Sequence, residues 1–251
     1  LSEPVDAGSL GCSAVDGLFV SSDSVVDRAL EQGKVIQWYA GLNSALGPHA
    51  PFFSDLERVL RRADQPIRDC SEGSYLGRGM EWYEQWIGEG DPEGYEQLED
   101  GTVEPRCLLN GTVWVSKAAR DAREGFDKAC IPVITTSNYF FDRFPQQSYL
   151  WNVSACLVDL ELDDYNAIGA EEDVLMYWWW PDPRFPRKPV RVQGLPYSDR
   201  ETREGYFMTV TDAVELKKYV NVALLQDSLL GQDVLSLIRK LQFSDDDMRS
   251  A

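Results

Sequence analysis

Between Cys156 and Leu162 the chain alternates apolar and acidic residues. Cys156, Val158, Leu160 and Leu162 fall on one side, and Asp159 and Glu161 on the other. A period of two is the signature of a strand with one buried face. The same reading places further strands at 113–115, 131–136, 174–180, 189–193 and 206–210, with this one spanning 155–162. Elsewhere the spacing is helical. Val25, Val26, Ala29 and Leu30 share a side of a segment that opens near Ser24 and runs to about Tyr39. Ser54-Asp55-Leu56-Glu57 has the spacing of a capping box, followed by a stripe of Leu56, Val59, Leu60 and Ala63. A short helix is predicted over 118–129 after Ser116. Another opens at Asp212 and carries Val220, Ala223 and Leu224, and a last one covers 232–241.

Helices early and strands later predict an α+β fold: N-terminal helices packed on a mainly antiparallel sheet, with C-terminal helices following. One globular domain over 1–242 is expected, with 243–251 as a frayed acidic tail. Residues 84–106 are acidic and glycine-rich and read as a surface excursion.

The stretch Met176–Pro186, MYWWWPDPRFP, tests the pattern hardest. In a strand Met176, Trp178 and Trp180 share one face, and Tyr177 and Trp179 take the other. A strand buried on both sides, ended by Pro181, which has no ladder donor, accounts for this. The functional alternative is a ligand-binding face in which Trp178 and Trp180 stack on a sugar or a base.

Composition narrows the classes. Among 251 residues, 42 acids against 24 lysines and arginines give a net charge of −18. Such a surface repels phosphate backbones and anionic membranes, so no nucleic-acid partner is expected. The longest apolar run, 174–180, is far short of the roughly 18 residues of a membrane span. The five cysteines form no CxxC pair and there is a single histidine, so no metal site is expected. Wide cysteine spacing suits either two disulfides plus an odd thiol or five reduced thiols. Sequons at Asn110 and Asn152 mark candidate glycosylation sites. The chain begins at Leu1 rather than Met, which suggests a processed N-terminus and a secreted or lumenal location.

Catalytic side chains are sparse. Any Ser–His–Asp or Cys–His arrangement has to use His49, which lies in a proline-flanked turn and is expected to be exposed. Asp163-Asp164 and Glu171-Glu172-Asp173 are paired carboxylates. Glycoside hydrolysis needs such a pair about 5 Å apart or somewhat more, across a cleft. Aromatics beside acids keep carbohydrate binding or hydrolysis open.

One ordered set of motifs carries more. Tyr75-Leu76-Gly77-Arg78-Gly79, then Ile134-Thr135-Thr136-Ser137, then Ala170-Glu171-Glu172-Asp173-Val174-Leu175 resembles the Arg / Ser-Thr-Ser / Glu-x-Glu layout of ADP-ribosyltransferases of the heat-labile enterotoxin type. The segment QGLPYSDRETREGYF (193–207) is also similar to one those toxins carry. The resemblance implies NAD as cofactor. Arg78 would hold the diphosphate, Thr135 and Ser137 would brace the nicotinamide pocket, and Glu171 and Asp173 would face the developing ribosyl cation. Thr135 stands where the family has serine, and Asp173 where it has the final glutamate; aligned on GLPYS instead, the chain is an inactive relative. The implied function is therefore an ADP-ribosyltransferase-like protein, active or degenerate. The alternative is a non-catalytic binding or structural subunit whose aromatic surface contacts a protein partner or a glycan.

Overall fold

The structure is a computed structural model. It describes residues 4–69, 91–97, 99, 103–136, 144–180, 188–203, 214–221 and 231–242. The α+β expectation holds, and most of its strand pairs are antiparallel. Contacts divide the chain into two compact units where the sequence suggested one.

The larger unit covers 17–178 and 185–210. Its strands include β4 (Cys107–Leu108), β5 (Val113–Val115), β6 (Ile131–Thr136), β7 (Ala155–Leu160) and β8 (Leu175–Trp180), the last of which enters the smaller unit at Trp179. They follow the order β8-β6-β7-β5-β4. A short hairpin, β2 (Tyr95–Gln97) with β3 (Val103–Pro105), stands apart, and Phe19 and Val20 pair with β9 (Val190–Arg191). The group β8-β6-β7 is parallel, which the sequence did not announce. Ile131–Thr136 and Ala155–Leu160 are buried at every position, as parallel strands covered on both faces must be. That corrects the alternating reading of 155–162: Asp159 is fully buried rather than solvent-facing, and Leu162 opens a helix.

Helices α1 (Asp23–Glu31), α2 (Leu56–Arg62), α3 (Lys117–Arg120), α4 (Phe126–Ala129), α5 (Phe144–Trp151), α6 (Leu162–Glu171) and α7 (Asp199–Arg203) surround these strands. Helix α5 connects β6 to β7, and α6 connects β7 to β8. The first crossover moves one strand over and the second returns past it. Right-handed crossovers then put the two helices on opposite faces. The packing agrees: Tyr165 and Ile168 of α6 join Leu56, Val59, Ile134, Val158 and Met176 in one core, while Phe144 of α5 meets Tyr177 edge-on on the other face. Gly169 brings α6 close to β8: a Cβ there would press on the end of the Met176 side chain, which would have to shift. The buried disulfide Cys130–Cys156 ties the start of β6 to β7, and Cys107 is disulfide-bonded as well.

Several expected elements shift. The helix opening near Ser24 ends at Glu31, and 118–129 splits into α3 and α4. Ser116 does cap α3, accepting from the Ala119 amide. The capping box at 54–57 does not form: Asp55 is the N-cap, and the Ser54 hydroxyl donates to Glu172 instead.

The smaller unit covers 1–16, 179–184 and 211–251. Residues Pro4 to Ala14 of β1 (Pro4–Val20) pair antiparallel with β10 (Val214–Asn221), where the sequence predicted a helix from Asp212. Tertiary pairing outweighs local propensity there. Helix α8 (Gly231–Lys240), close to its predicted span, packs through Leu235 and Ile238 on Ala7 and Val220. The nearly buried Lys218 ammonium donates to the carbonyls of Arg239 and Leu241, at the negative end of that helix. The strand expected at 206–210 and the tail 243–251 lie outside the described residues.

Candidate functional site

Among the residues picked from the sequence, Arg78 and Ser137 lie outside the described residues. Thr135 is fully buried near the carboxyl end of β6. Glu171 and Asp173 lie at the opposite end of the parallel group. Val133 is level with Leu175, so Asp173 is level with Ile131, and Thr135 lies four residues, about 13 Å, further along. The structure does not bring Thr135 and the acidic triplet together.

Each acid of the triplet has an arginine. Arg62 pairs with Glu171. Glu172 is fully buried and accepts from Arg58 Nε at 2.9 Å and from the Ser54 hydroxyl at 2.6 Å, with Arg62 Nε at 3.5 Å. Its own carbonyl accepts from Ser21 at 3.0 Å. Asp173 pairs with Arg28 at 2.7 Å. Ser54 closes the set: its backbone N–H donates to the Asp173 carbonyl and its oxygen accepts from the Asp173 amide. This latch fastens α1 and α2 to the turn between α6 and β8. Chemically, these carboxylates are anchored counter-ions.

The carboxyl ends of β6 and β7 are where topology favours a ligand, because α5 and α6 leave adjacent strands toward opposite faces. Thr135 is level with Asp159, and both are fully buried. The hydroxyls of Thr135 and Thr136 have no hydrogen-bond partner among the described residues. Arg68 spans the edge: its guanidinium forks onto Glu161 at 2.9 and 2.8 Å, lies 3.9 Å from Asp159, and its backbone N–H donates to the Asp159 carbonyl. The polar atoms of Thr135, Thr136 and Asp159 are sealed from solvent in this form. Sequence alternation did put Thr135 and Asp159 in strands, but only the parallel register sets them side by side.

His49 is buried at 3% exposure, not exposed as its turn suggested. Its Nε2 lies 3.1 Å from the Asn43 carbonyl, which fixes the neutral tautomer with Nε2–H donating. Nδ1 is a buried acceptor with no partner among the described residues. Burial, with Lys34 nearby, holds the imidazole below its ordinary pKa of 6.5, against the opposing pull of the Asn43 bond.

Trp178 and Trp180, the proposed ligand face, are half-buried, as is Trp179; Leu175, Met176 and Tyr177 are buried. Trp178 packs on Tyr165 with ring centroids 5.2 Å apart, against the core. Asn110 is exposed at the tip of the β4–β5 hairpin, and Asn152 is half-buried in the turn after α5. No group of histidine, cysteine and carboxylate side chains fit to hold a metal occurs among the described residues, and no helix of theirs is long and apolar enough to cross a membrane.

A feature that periodicity hid is the segment 30–46. Of nine large hydrophobic residues exposed among those described, four lie here: Leu30 at 44%, Val35 at 46%, Trp38 at 41% and Leu46 at 57%. The segment is firmly built. Trp38 packs on Tyr39, and Tyr39 on Trp151, with centroids 5.2 and 5.3 Å apart. The Tyr39 amide donates to Gln193, whose own amide donates to Gln37, and the Lys34 ammonium donates to the Leu46 carbonyl. At Gly41 a Cβ would strike the Val35 carbonyl, so the loop closes tightly only with glycine. Asp23, Asp27 and Glu31 line the exposed side of α1 beside Leu30.

Comparison with protein-family models, with curated proteins and with solved structures finds no match for the chain.

Proposed function

We propose that this chain is a non-catalytic binding protein of an oxidising, secreted or lumenal compartment, and that the segment 30–46 is its contact surface. The observation that carries the reading is Trp38, packed on Tyr39 and bridged through its backbone to Gln193 yet exposed, with Leu30, Val35 and Leu46 exposed in the same segment. Exposed apolar side chains on a fixed backbone lose little entropy on binding, and a central tryptophan is the commonest kind of hot spot. The acidic border of α1 and the net charge of −18 favour a protein partner with a basic rim around an apolar centre. Two further facts support the class. The acids that would serve an ADP-ribosyltransferase, Glu171 and Asp173, are paired with Arg62 and Arg28. The disulfide Cys130–Cys156 belongs to an oxidising compartment.

The reading is tested by capture from the secreted milieu at low and high ionic strength, with wild-type chain and with Trp38→Ala. A partner retained by the wild type, released by salt and lost with Trp38→Ala is expected. Equal retention by both chains rejects the surface. The NAD reading is tested separately: a rise in the unfolding midpoint with millimolar NAD, lost in Arg78→Ala, would favour it.

A further inference from the structure

Asn110 and Asn152 both sit in N-x-Ser/Thr sequons, but the fold treats them differently. Asn110 lies in the four-residue turn between Leu108 and Val113, which pair across the hairpin. It is exposed, and its φ of 61° is tolerated well by asparagine. The turn is closed by the Thr112 hydroxyl donating to the Leu109 carbonyl at 2.7 Å, and by the Thr112 amide donating to Leu108 at 3.2 Å. Neither bond uses the Asn110 side chain. Beside it opens a polar cavity of about 420 Å³ lined by Ile67, Arg68, Thr112 and Glu161 among others, which leaves room for a sugar ring.

Asn152 is held from several sides. It is half-buried, its Nδ2 donates to Asn43 Oδ1 at 3.0 Å, and its carbonyl accepts from the Ser44 amide at 2.8 Å. Val153 next to it pairs with Asn43, and the same Asn43 carries the buried His49. A sugar on Asn152 Nδ2 would have to fit into this half-buried turn against Asn43 with one Nδ2 hydrogen fewer.

We infer that Asn110 is an N-glycan attachment site and that Asn152 is not one in the folded protein. Attachment links Asn110 Nδ2 to C1 of the first sugar of a lipid-linked oligosaccharide. The C1–O bond to the lipid pyrophosphate breaks, the lipid pyrophosphate departs, and Nδ2 gives up one proton. Attachment precedes folding, so the fold selects by which modified side chain it can still seat. The inference rests on passage through a secretory lumen, one part of the proposed function.

The test expresses the full chain behind a secretory leader in a eukaryotic host, which supplies that passage whatever the native compartment. Secreted protein is then mapped by peptide mass spectrometry before and after amidase release in heavy-oxygen water. One glycan, at Asn110, is expected. Thr112→Ala should remove it, Thr112→Ser should keep it, and Asn152→Gln should leave the glycan mass unchanged. Secreted protein with Asn110 unmodified, or with a glycan on Asn152, overturns the inference. A secreted, glycosylated chain that binds no partner would reject the docking surface and leave this site standing.

Discussion

The latch at Glu171–Asp173 and the surface at 30–46 draw on the same helix, α1, to opposite ends. Arg28 on one side of α1 closes an ion pair with Asp173, while Leu30, two residues on, stands in solvent. In the latch, charge that looked catalytic is consumed by structure. At the surface, apolar area that would stabilise a core is left uncovered, although the loop that carries it is tightly built. Burial of charge with full pairing says little about function, whereas rigid exposure of a tryptophan is hard to explain by stability alone.

Breaking the latch should have the largest effect. In the double variant Arg58→Ala/Arg62→Ala the buried Glu172 carboxylate loses both arginines while the Ser54 hydroxyl still donates to it, and such a loss costs about 3–5 kcal/mol. Thermal unfolding should show a midpoint lower by roughly 10 °C. Glu172→Gln should cost less, because the arginines it leaves behind are themselves solvent-exposed. A double variant as stable as wild type would mean that Glu172 is not held as described. Removing the Cys130–Cys156 bond by Cys130→Ala/Cys156→Ala frees a 26-residue separation, about 3.5 kcal/mol on a chain-entropy estimate. Denaturant titration reads it, and partner binding by the fraction still folded should be unchanged.

At the surface the order reverses. Trp38→Ala should change stability by less than about 1 kcal/mol, as expected of an exposed side chain. Partner affinity should fall by about 30-fold or more, the mark of a hot spot. A variant that loses stability and binding in step would make Trp38 a packing residue.

The smallest effect is at His49. Its folded pKa lies below its unfolded value of 6.5 because the charged form is buried. The unfolded chain therefore binds the proton first as pH falls. The contribution is fully present above pH 6.5 and declines as pH drops from there toward the folded pKa. Unfolding free energies measured between pH 7.5 and 5 should fall for wild type and fall less for His49→Gln.

How far the sequence revealed this is uneven, for physical reasons. Val113–Val115 and Ile131–Thr136 were legible to the residue, since short β-branched runs bounded by turn residues have few alternatives. Strand β1 was not. Gly8, Gly11 and Gly17 with positive φ, and register shifts between Asp6 and Gly8 and between Ser9 and Ser13, break the period of two. Helix α6 was hidden because alternation continues through Leu162 into its first turn, and because Gly169 sits inside it for close packing on Met176. The acidic triplet was visible as a cluster, but its arginines lie more than a hundred residues away, so pairing could not be read from spacing. The first part of the surface, 30–39, looked like the continuation of an amphipathic helix; only accessibility distinguishes Trp38 from a core residue.

The central claim is tested most directly by photo-crosslinking. A benzophenone amino acid is placed at position 38, and in a parallel chain at position 197, where Tyr197 is comparably exposed at 37% against 41% for Trp38. Both chains are irradiated in the secreted milieu at low ionic strength. A saturable adduct to one basic protein from position 38, competed by unlabelled wild-type chain and absent from position 197, is predicted. Adducts of equal yield from both positions, or none from position 38, would contradict the assignment of this segment as the contact surface.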